Sequence, residues 1–370
     1  MQRFNIVDDL EIEIEVEENR YGFLLKDLFL MAARRNRRRA FLFVSQLLGK
    51  HIPIDARRAL ITGKLLAFLL AEKISKERAL DYKYELLAEG IKDSSKIEDA
   101  LCYASSNLIP VECSTLFLGF AETATALGHA LFSQYTSTGH RLEYLHTTRD
   151  DIVELSPVLQ FEEEHSHATR HLCYAEDPNF FTNFDHIVLI DDELTTGKSA
   201  LNLIESLQRH HNAKRFSIVS ILDWRTREYK RHFDDRVARL AIPIDVVSLL
   251  HGQAHSTGSA SFAEEVCYKE TVQSDINSKA FVETIVACPK VPVVEYTRRL
   301  TDLMEVKQNY LKFTGRFPIT YRSHQEIEAA VLKCVKIVEN GLETEEQDKP
   351  TLILGTEEFI YFPMLVAANC

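Results

Sequence analysis

The sequence predicts an α/β protein built around a largely parallel β-sheet. Short apolar segments recur through the middle of the 370-residue chain, and stretches with helical spacing separate most of them. This alternation favours parallel strands joined by right-handed crossovers. The apolar segments are residues 115–120, 142–146, 187–190, 217–222 and 244–250. Polar residues follow these segments, so we expect the loops that carry them to share one edge of the sheet, where parallel sheets bind ligands.

Composition and charge exclude several function classes. The chain is 45% hydrophobic, which supports a substantial core, and its net charge of −12 argues against a general nucleic-acid binder. None of its seven cysteines forms a Cys-x-x-Cys pair, which favours reduced thiols over a zinc knuckle or disulfide framework. The chain start lacks a signal sequence and no apolar run has membrane-spanning length. We therefore expect a cytoplasmic protein with no nucleic-acid or membrane partner.

The N-terminal part predicts a strand, a basic cluster and helices. Residues 10–17 alternate between apolar and acidic side chains, as in a half-exposed strand. Residues 55–91 show the apolar spacing of helices. The basic cluster between them consists of Arg34, Arg35, Arg37, Arg38 and Arg39. It is typical either of a solvated helix end or of a patch that binds a phosphate or an acidic substrate.

The segment 186–199 carries the most specific chemical signal. A buried strand runs into Asp191 and Asp192, and a short loop then leads to a helix that starts at about Ser199. Free N–H groups at a helix start favour a phosphate, and hydroxyl side chains add donors. The candidate phosphate-binding residues are Thr195, Thr196, Gly197, Lys198 and Ser199. The two acids would repel a phosphate, but they suit vicinal ribose hydroxyls or a nearby magnesium ion.

Two other interpretations of this segment are less favourable. Gly197-Lys198-Ser199 matches the end of a nucleotide-binding P-loop, but that motif requires a glycine five residues before Gly197. Asp192 occupies that position and would face the phosphates. An ordinary capped helix explains neither the adjacent acids nor the Thr-Thr-Gly that follows. A phosphorylated ribose is the ligand that this pattern favours.

From Val188 to Ser199 the chain resembles the type I phosphoribosyltransferases, whose signature is an apolar strand, two acids, a variable pair and Thr-Gly with a small residue. The resemblance implies phosphoribosyl pyrophosphate as ligand, with Mg²⁺ held through that ligand near Asp191 and Asp192. It also implies a Rossmann-like parallel core, an N-terminal hood and a smaller C-terminal α/β extension.

The resemblance also assigns roles to the loops after the first two core strands. In this family the first of these loops grips pyrophosphate, and a cation commonly follows the second strand. The matching residues are Glu122, Thr123, Ala124, Thr125 and Arg149. Glu122 departs from a small neutral loop, and proximity to the metal is an alternative role for it. For Arg149 the alternative is an exposed arginine at a strand end.

Residues 161–171 form a second unusual stretch, rich in histidine and glutamate. A metal cluster and a solvated charged loop are two interpretations, although the spacing matches no recognised zinc pattern. The resemblance favours a third, a lid that closes over the site and excludes water. His165, His167 and Arg170 would then neutralise the departing pyrophosphate.

A narrower resemblance is to an orotate-phosphoribosyltransferase-like branch found in bacterial tellurium-resistance and stress gene clusters. It is carried by the basic cluster with residues 41–53, by His146-Thr147-Thr148-Arg149 and by residues 163–169. This branch carries a C-terminal TRSP domain. We expect a phosphoribosyltransferase domain over 1–255, with hood elements over about 1–110 and the core over about 111–255. Residues 256–370 would form a TRSP-like extension, expected to be incomplete because a Thr-Arg-Ser-Pro signature is missing, with a strand at 351–354.

The expected function is a Mg²⁺-dependent transfer from phosphoribosyl pyrophosphate to a nucleobase-like acceptor, or the reverse pyrophosphorolysis. The product would be a nucleotide-like metabolite linked to tellurium resistance or stress. The acceptor would lie under a hood built from Arg35–His51 and residues after Leu250. The alternative is a non-catalytic sensor of phosphoribosyl pyrophosphate or a nucleotide. The family resemblance is compatible with a homodimer.

Overall fold

The computed structural model describes residues 1–34, 39–75, 82–162, 170–259, 292–301, 304–341, 351–356 and 358–370. Its strands are β1 (Gln2–Val7), β2 (Leu10–Glu18), β3 (Phe29–Ala33), β4 (Phe41–Ser45), β5 (Ile109–Pro110), β6 (Thr115–Gly119), β7 (Tyr135–Thr136), β8 (Leu142–His146), β9 (Asp151–Ile152), β10 (Leu159–Glu162), β11 (Arg170–Cys173), β12 (His186–Ile190), β13 (Glu193–Leu194), β14 (Arg215–Asp223), β15 (Ile244–Thr257), β16 (Val293–Thr301), β17 (Met304–Leu311) and β18 (Ile319–Thr320). Its α-helices are α1 (Leu25–Leu28), α2 (Ala56–Ser75), α3 (Tyr84–Lys92), α4 (Ile97–Ser106), α5 (Ala124–Phe132), α6 (Lys198–His210), α7 (Arg227–Leu240), α8 (Tyr321–Gly341) and α9 (Tyr361–Asn369).

The predicted parallel sheet is confirmed. In the described part of the chain the central sheet has the order β1-β2-β15-β14-β12-β6-β8-β18, and β13 pairs with β14. Strands β15, β14, β12, β6 and β8 run parallel. The flanking strands β2 and β18 are antiparallel to their neighbours. All the predicted core strands are present, and β14 and β15 extend beyond their expected ends.

Side chains on the two faces of the central strands enter different cores. Phe117 and Val188 pack on one face with residues of α2 and α5. Leu116 and Ile187 pack on the other face with residues of α6 and α7. Since both faces of a parallel sheet are covered, its strands are apolar at every position rather than alternating. This explains why β6 and β12 are buried along their whole length.

The N-terminal hairpin and helices agree with the sequence predictions, whereas the environment of the basic cluster does not. β2 covers the predicted alternating strand, and α2 and α3 lie within the predicted helical region. The arginine cluster lies between the paired strands β3 and β4, where the N–H of Arg34 donates to the carbonyl of Ala40 over 2.8 Å. Arg34 and Arg39, the two arginines of the cluster that the structure describes, therefore follow and precede strands and do not lie at a helix end. Residues 35–38 lie outside the described residues.

The C-terminal elements join the core instead of forming a strand at 351–354. β18 adds to the edge of the central sheet beside β8, and β16 pairs with β9. Helix α9 packs against α2 and α5. The predicted strand is wrong because residues 351–356 have no regular secondary structure. Leu352 and Leu354 are 61% and 78% exposed and Ile353 is only partly buried against the core, so the run lacks the burial on both faces that a core strand would have. None of the described helices is both long and apolar enough to cross a membrane.

Buried histidines make the stability of this fold dependent on pH. His129 of α5 is fully buried and stacks on Tyr361 of α9, with ring centroids 3.8 Å apart. Burial, and then the nearby His324 and His146, place the pKa of His129 well below 6.5. Burial also lowers the pKa of His324, and that of His186, to about 4. All these groups favour the neutral imidazole in the folded state.

We expect the free energy of unfolding to fall as the pH drops below 6.5, the ordinary pKa of an unfolded histidine. The folded state holds these rings neutral while the unfolded state binds protons, so each ring contributes a loss of up to about 1.4 kcal/mol per pH unit. The loss continues until the folded-state pKa is reached. Urea unfolding between pH 7 and pH 5 measures it. The variant His129→Phe should show a shallower slope, and an unchanged slope would contradict this explanation.

Candidate active site

Three neighbouring strands end at the same level and bring their following loops together. Gly119 at the end of β6 pairs with Ile190 of β12 on one side and with His146 of β8 on the other. Just beyond the strands, the N–H of Phe120 donates to the carbonyl of Ile190, and the N–H of Thr147 donates to that of Gly119, each over 2.9 Å. The loops that contain the predicted site residues therefore begin side by side.

The loop 195–199 has the backbone of an anion-binding helix start. Gly197 is the N-cap of α6 with a φ of 72°, and an added Cβ would lie 2.8 Å from the Phe233 ring. Leu201 makes the first hydrogen bond within the helix, to the carbonyl of Gly197 over 3.1 Å. The N–H groups of Ser199 and Ala200 thus precede the helical ladder, as in helix termini that bind phosphate. Thr195, Thr196 and Ser199 are half-buried at this loop, and Lys198 is exposed.

Three consecutive acids follow β12. The N–H of Asp192 donates to Oδ1 of Asp191 over 3.0 Å, and both side chains are partly exposed. Burial, and then the charge of Glu193, raise the pKa of Asp192 to about 6. Glu193 itself accepts hydrogen bonds of 2.6 and 3.0 Å from the guanidinium of Arg39. One arginine of the basic cluster is therefore engaged by the third acid.

The donor chemistry of Asp191 and Asp192 fits a magnesium ion shared with a phosphorylated ligand. Mg²⁺ prefers oxygen ligands and usually takes one or two carboxylates, the rest coming from water and substrate phosphates. The described residues contain no group of three or more His, Cys, Asp or Glu arranged to hold a metal by themselves. A positive charge at this position would also lower the raised pKa of Asp192.

The loop after β6 is held by Lys50, which follows β4 in the chain. The Ala121–Glu122 peptide bond is cis, and the N–H and hydroxyl of Thr125 donate to the carbonyl of Glu122 over 3.3 and 2.9 Å. The Glu122 carboxylate forms an ion pair with Lys50. Burial alone would raise the pKa of Glu122, but the hydrogen bond and charge of Lys50 lower it overall. Thr123 and Ala124 begin α5 directly after this turn.

Arg149 lies on the neighbouring loop and acts on the same carboxylate. Its side chain is half-buried, and its charge helps to lower the pKa of Glu122. The two loops also share a hydrogen bond, because the N–H of Ala121 donates to the Thr147 hydroxyl over 2.8 Å. The predicted pyrophosphate residues 122–125 and Arg149 are therefore neighbours in space.

The predicted lid emerges from an antiparallel hairpin formed by β10 and β11. Its base packs beside the site: the rings of Phe161 and His171 stack with centroids 4.8 Å apart, and His171 Nδ1 lies 2.8 Å from the Thr147 hydroxyl. Arg170 pairs with Asp151 over 3.2 Å. His165 and His167 lie outside the described residues, so their place in the lid stays a prediction.

A cavity lies between the β3–β4 hairpin and the acidic loop. Its accessible volume is about 10 Å³, which is room for about one water molecule. Its lining residues are Leu28, Phe29, Phe43, Ser45, Asp192, Glu193, Ile221 and Leu222. The indole of Trp224 stacks behind Phe43 with ring centroids 5.3 Å apart. This is an aromatic slot with a carboxylate edge, adjacent to the proposed ribose site.

Sequence reasoning missed several residues of this site. Glu193 directly follows the two acids, which was a visible signal, but its partner Arg39 lies 154 positions earlier in the chain. Lys50 belongs to a segment that carries the narrower family resemblance, but its pairing with Glu122 spans 72 positions and has no local sequence signal. Trp224 carried no signal beyond its place after a predicted strand.

Comparison with known families gives matches over most of the chain. The family model described as phosphoribosyl transferase matches residues 28–253. The model described as the TRSP domain, C-terminal to that family, matches residues 313–370. No curated protein matches.

Several solved structures are distantly similar. One is adenine phosphoribosyl transferase from Trypanosoma brucei in complex with AMP, pyrophosphate and ribose-5-phosphate, which is 14% identical with a TM-score of 0.27. The matched region spans 43% of this chain and 68% of the Trypanosoma brucei chain. Orotate phosphoribosyltransferase from Mycobacterium tuberculosis in complex with phosphoribosyl pyrophosphate is 12% identical with a TM-score of 0.22, covering 55% and 93%. Adenine phosphoribosyltransferase from Thermoanaerobacter pseudethanolicus is 16% identical with a TM-score of 0.25, covering 47% and 90%.

We expect Lys50→Met to raise the pKa of Glu122, because the substitution removes the hydrogen bond and the positive charge that lower it. A carboxyl-carbon NMR titration measures the shift. Lys230→Met is the matched control, since Lys230 lowers the pKa of Glu17 in the same way. It should raise the pKa of Glu17 and leave that of Glu122 in place. An unchanged Glu122 in Lys50→Met would refute the pairing.

Proposed function

We propose a specific reaction for this chain, which belongs to the phosphoribosyl transferase family and is a phosphoribosyltransferase enzyme. It transfers the phosphoribosyl group of phosphoribosyl pyrophosphate, bound with Mg²⁺, to a nucleobase-like acceptor, or it runs the reverse pyrophosphorolysis. The observation that carries the proposal is the meeting of three loops at the ends of β6, β8 and β12. The loop after β12 offers two acids followed by a phosphate-binding helix start, the loop after β8 offers the cation Arg149, and the loop after β6 offers Glu122 with its paired Lys50.

Each loop has a distinct role in this proposal. Asp191 and Asp192 accept hydrogen bonds from the two ribose hydroxyls, and the loop 195–199 holds the 5′-phosphate. Glu122–Thr125 and Arg149 lie at the pyrophosphate, with Lys50 held beside them by its ion pair with Glu122. His165, His167 and Arg170 belong to the lid. A bound Mg²⁺ supplies positive charge that stabilises the leaving pyrophosphate.

The chemistry requires positioning more than covalent participation by the protein. The bond between the anomeric carbon and a pyrophosphate oxygen breaks, and its electrons leave with pyrophosphate. A bond from that carbon to a nitrogen of the acceptor forms through an oxocarbenium-like state, and the proton displaced from that nitrogen passes to pyrophosphate or to water. Fixed carboxylates near the ribose stabilise that positive charge. Holding sugar, leaving group and acceptor in line contributes the remainder of the rate enhancement.

The aromatic side chains beside the acids suit a planar acceptor, although the pocket between them is only water-sized in this structure. Phe29 and Phe43 line it, and Asp192 places it next to the sugar site. The Arg39–Glu193 pair lies at its carboxylate edge, and the Arg39 guanidinium lies 4.8 Å and 5.3 Å from the rings of Phe41 and Phe43. Aromatic faces with a hydrogen-bonding edge suit a heterocyclic base.

The proposed organisation is a phosphoribosyltransferase domain over 1–255, with hood elements over about 1–110, followed by the extension over 256–370. A homodimer, a cytoplasmic location and a nucleotide-like product linked to tellurium resistance or stress belong to the same proposal. Tellurite sensitivity after deletion of the gene, with rescue by the wild-type chain but not by the Asp191→Asn, Asp192→Asn form, tests the biological link.

The direct test of the reaction is pyrophosphate release from phosphoribosyl pyrophosphate and Mg²⁺ with a panel of nucleobases, and phosphoribosyl pyrophosphate formation from nucleotides and pyrophosphate. At least one acceptor should give turnover. If the ligand binds but nothing in a broad panel turns over in either direction, the proposed reaction is wrong and a sensor role is favoured.

We expect the double substitution Asp191→Asn, Asp192→Asn to weaken the binding of phosphoribosyl pyrophosphate with Mg²⁺ by about 100-fold or more, because two charge-assisted interactions are lost. Titration calorimetry measures this. The matched control is Asp234→Asn, Asp235→Asn, another pair of adjacent acids, exposed on α7. Equal affinity in the two double variants would eliminate the proposed ribose site.

We expect Gly197→Ala to weaken ribose 5-phosphate binding by about tenfold or more. A Cβ at this position requires a left-handed backbone and meets the Phe233 ring at 2.8 Å, so the helix start must shift. Gly139→Ala controls for the backbone cost alone, because Gly139 has a φ of 99° but open space around its Cα. It should destabilise the chain by about 1 kcal/mol without affecting ribose 5-phosphate. Similar binding by both variants would contradict the assignment of this loop.

A further inference from the structure

A buried ion-pair network joins the C-terminal extension to the loop that follows β8. Arg316 is paired with Glu358 over 2.6 Å and with Asp150 over 3.1 Å, and all three side chains are at most 8% exposed. The Thr148 hydroxyl donates to both Glu358 oxygens over 2.9 and 3.0 Å. The same hydroxyl accepts from Arg316 Nε over 3.3 Å and from the Asp150 N–H over 3.2 Å.

Other contacts of the extension fix the start of the same loop. The N–H of His146 donates to the carbonyl of Gly315 over 2.7 Å, and His146 Nε2 lies 3.1 Å from the carbonyl of Thr314. Gly315 has a φ of 93°, and a Cβ there would lie 2.4 Å from the Tyr144 ring. The extension backbone therefore lies directly against the end of β8.

The far side of this loop contacts the pyrophosphate side of the site. The Thr147 hydroxyl accepts the N–H of Ala121, the residue before Glu122. Arg149 lies between Thr148 and Asp150, the two loop residues that the network holds. The extension therefore contacts both neighbours of Arg149, while the β6 loop holds Thr147 and Leu172 holds the Thr148 backbone, and together these contacts set the direction in which the Arg149 side chain leaves the backbone.

The chemistry of the network favours a positioning role over a purely stabilising one. Buried ion pairs often add less stability than apolar side chains of the same volume, because desolvation opposes the attraction. They do impose direction, since each donor must meet its acceptor. Arg316 also lies over the Tyr310 ring at 4.5 Å, which orients its guanidinium plane.

We propose that Arg316 and Glu358 of the C-terminal extension are positioning residues that hold the loop 147–150 in the conformation that binds the pyrophosphate group. This rests on the proposed function. The extension is then part of the site for one half of the substrate, while the ribose 5-phosphate half is held by residues 191–199 of the core.

The test compares three probes with the full-length chain and Mg²⁺: phosphoribosyl pyrophosphate, pyrophosphate and ribose 5-phosphate. The main variant is Arg316→Met, Glu358→Leu, which replaces the pair by apolar side chains of similar size. Asp150 keeps its other partner in this variant, because Arg298 pairs with it over 2.9 Å. We expect the dissociation constants of the two pyrophosphate-containing probes to rise by about tenfold or more, and that of ribose 5-phosphate to stay within about twofold.

Two further variants separate positioning from folding. Arg316→Lys keeps the charge, so its pyrophosphate affinity should lie between that of the wild-type chain and that of the main variant. Tyr321→Phe removes a different contact between extension and core, the 3.0 Å hydrogen bond between Tyr321 and Thr136, and should change none of the three constants. If the main variant does not fold, Thr148→Val removes the central hydroxyl and should give the same selective loss.

Several results would overturn the proposal. Equal weakening of all three probes would show that the extension only stabilises the fold, and no weakening would show that it does not act on the site. The same selective loss in Tyr321→Phe would assign the effect to docking in general. If the wild-type chain binds none of the probes, the proposed function itself fails. This outcome can be distinguished from a failure of the positioning proposal, because it is seen in the wild-type chain alone.

Discussion

The strands β8, β6 and β12 end side by side, and this alignment determines the geometry of the whole candidate site. Gly119 is the central point of this arrangement, because it pairs with strands on both sides. A Cβ on Gly119 would lie 3.0 Å from the Tyr144 hydroxyl and 3.2 Å from the carbonyl of Ala124. The absence of a side chain therefore lets α5 begin directly above the strand end. The loop 120–124 is short for this reason, and it faces the acids that follow Ile190.

Two ion pairs connect the hood to the two sides of that edge. Arg39 binds Glu193 beside the acids, and Lys50 binds Glu122 beside Arg149. Lys50 lies beside the proposed pyrophosphate position, whereas Arg39 lies at the edge of the aromatic cavity proposed for the acceptor, and each cation is held next to a carboxylate. When pyrophosphate binds, its oxygens would compete with the Glu122 carboxylate for Lys50, because phosphate and carboxylate oxygens accept from the same donors. The N-terminal region thus contributes two cations to the edge of the sheet.

The sequence allowed most of the sheet to be predicted, because parallel strands buried on both faces are continuous apolar runs with polar residues at one end. The same signal failed at 351–354, where an apolar run is exposed and irregular. The order of elements placed 122–125, Arg149 and 191–199 at one edge, since that follows from topology alone. The partners of Glu122, Glu193 and Thr148 could not be predicted, because each comes from a distant part of the chain and only the packed structure brings the two together.

The loop 147–150 depends on both the local sequence and contacts from a distant part of the chain. Its place at the sheet edge follows from the local pattern of β8, but two of its residues, Thr148 and Asp150, bind Arg316 and Glu358, more than 150 positions later. Backbone hydrogen bonds between Thr148 and Leu172 fix one point of this loop, and the ion pairs of Asp150 with Arg316 and Arg298 fix a second point on the other side of Arg149. These buried, directional contacts on both neighbours of Arg149 limit the conformations of the loop before a ligand binds, which would lower the entropic cost of binding. In the proposed reaction, the extension would thereby fix a cation where the leaving group departs.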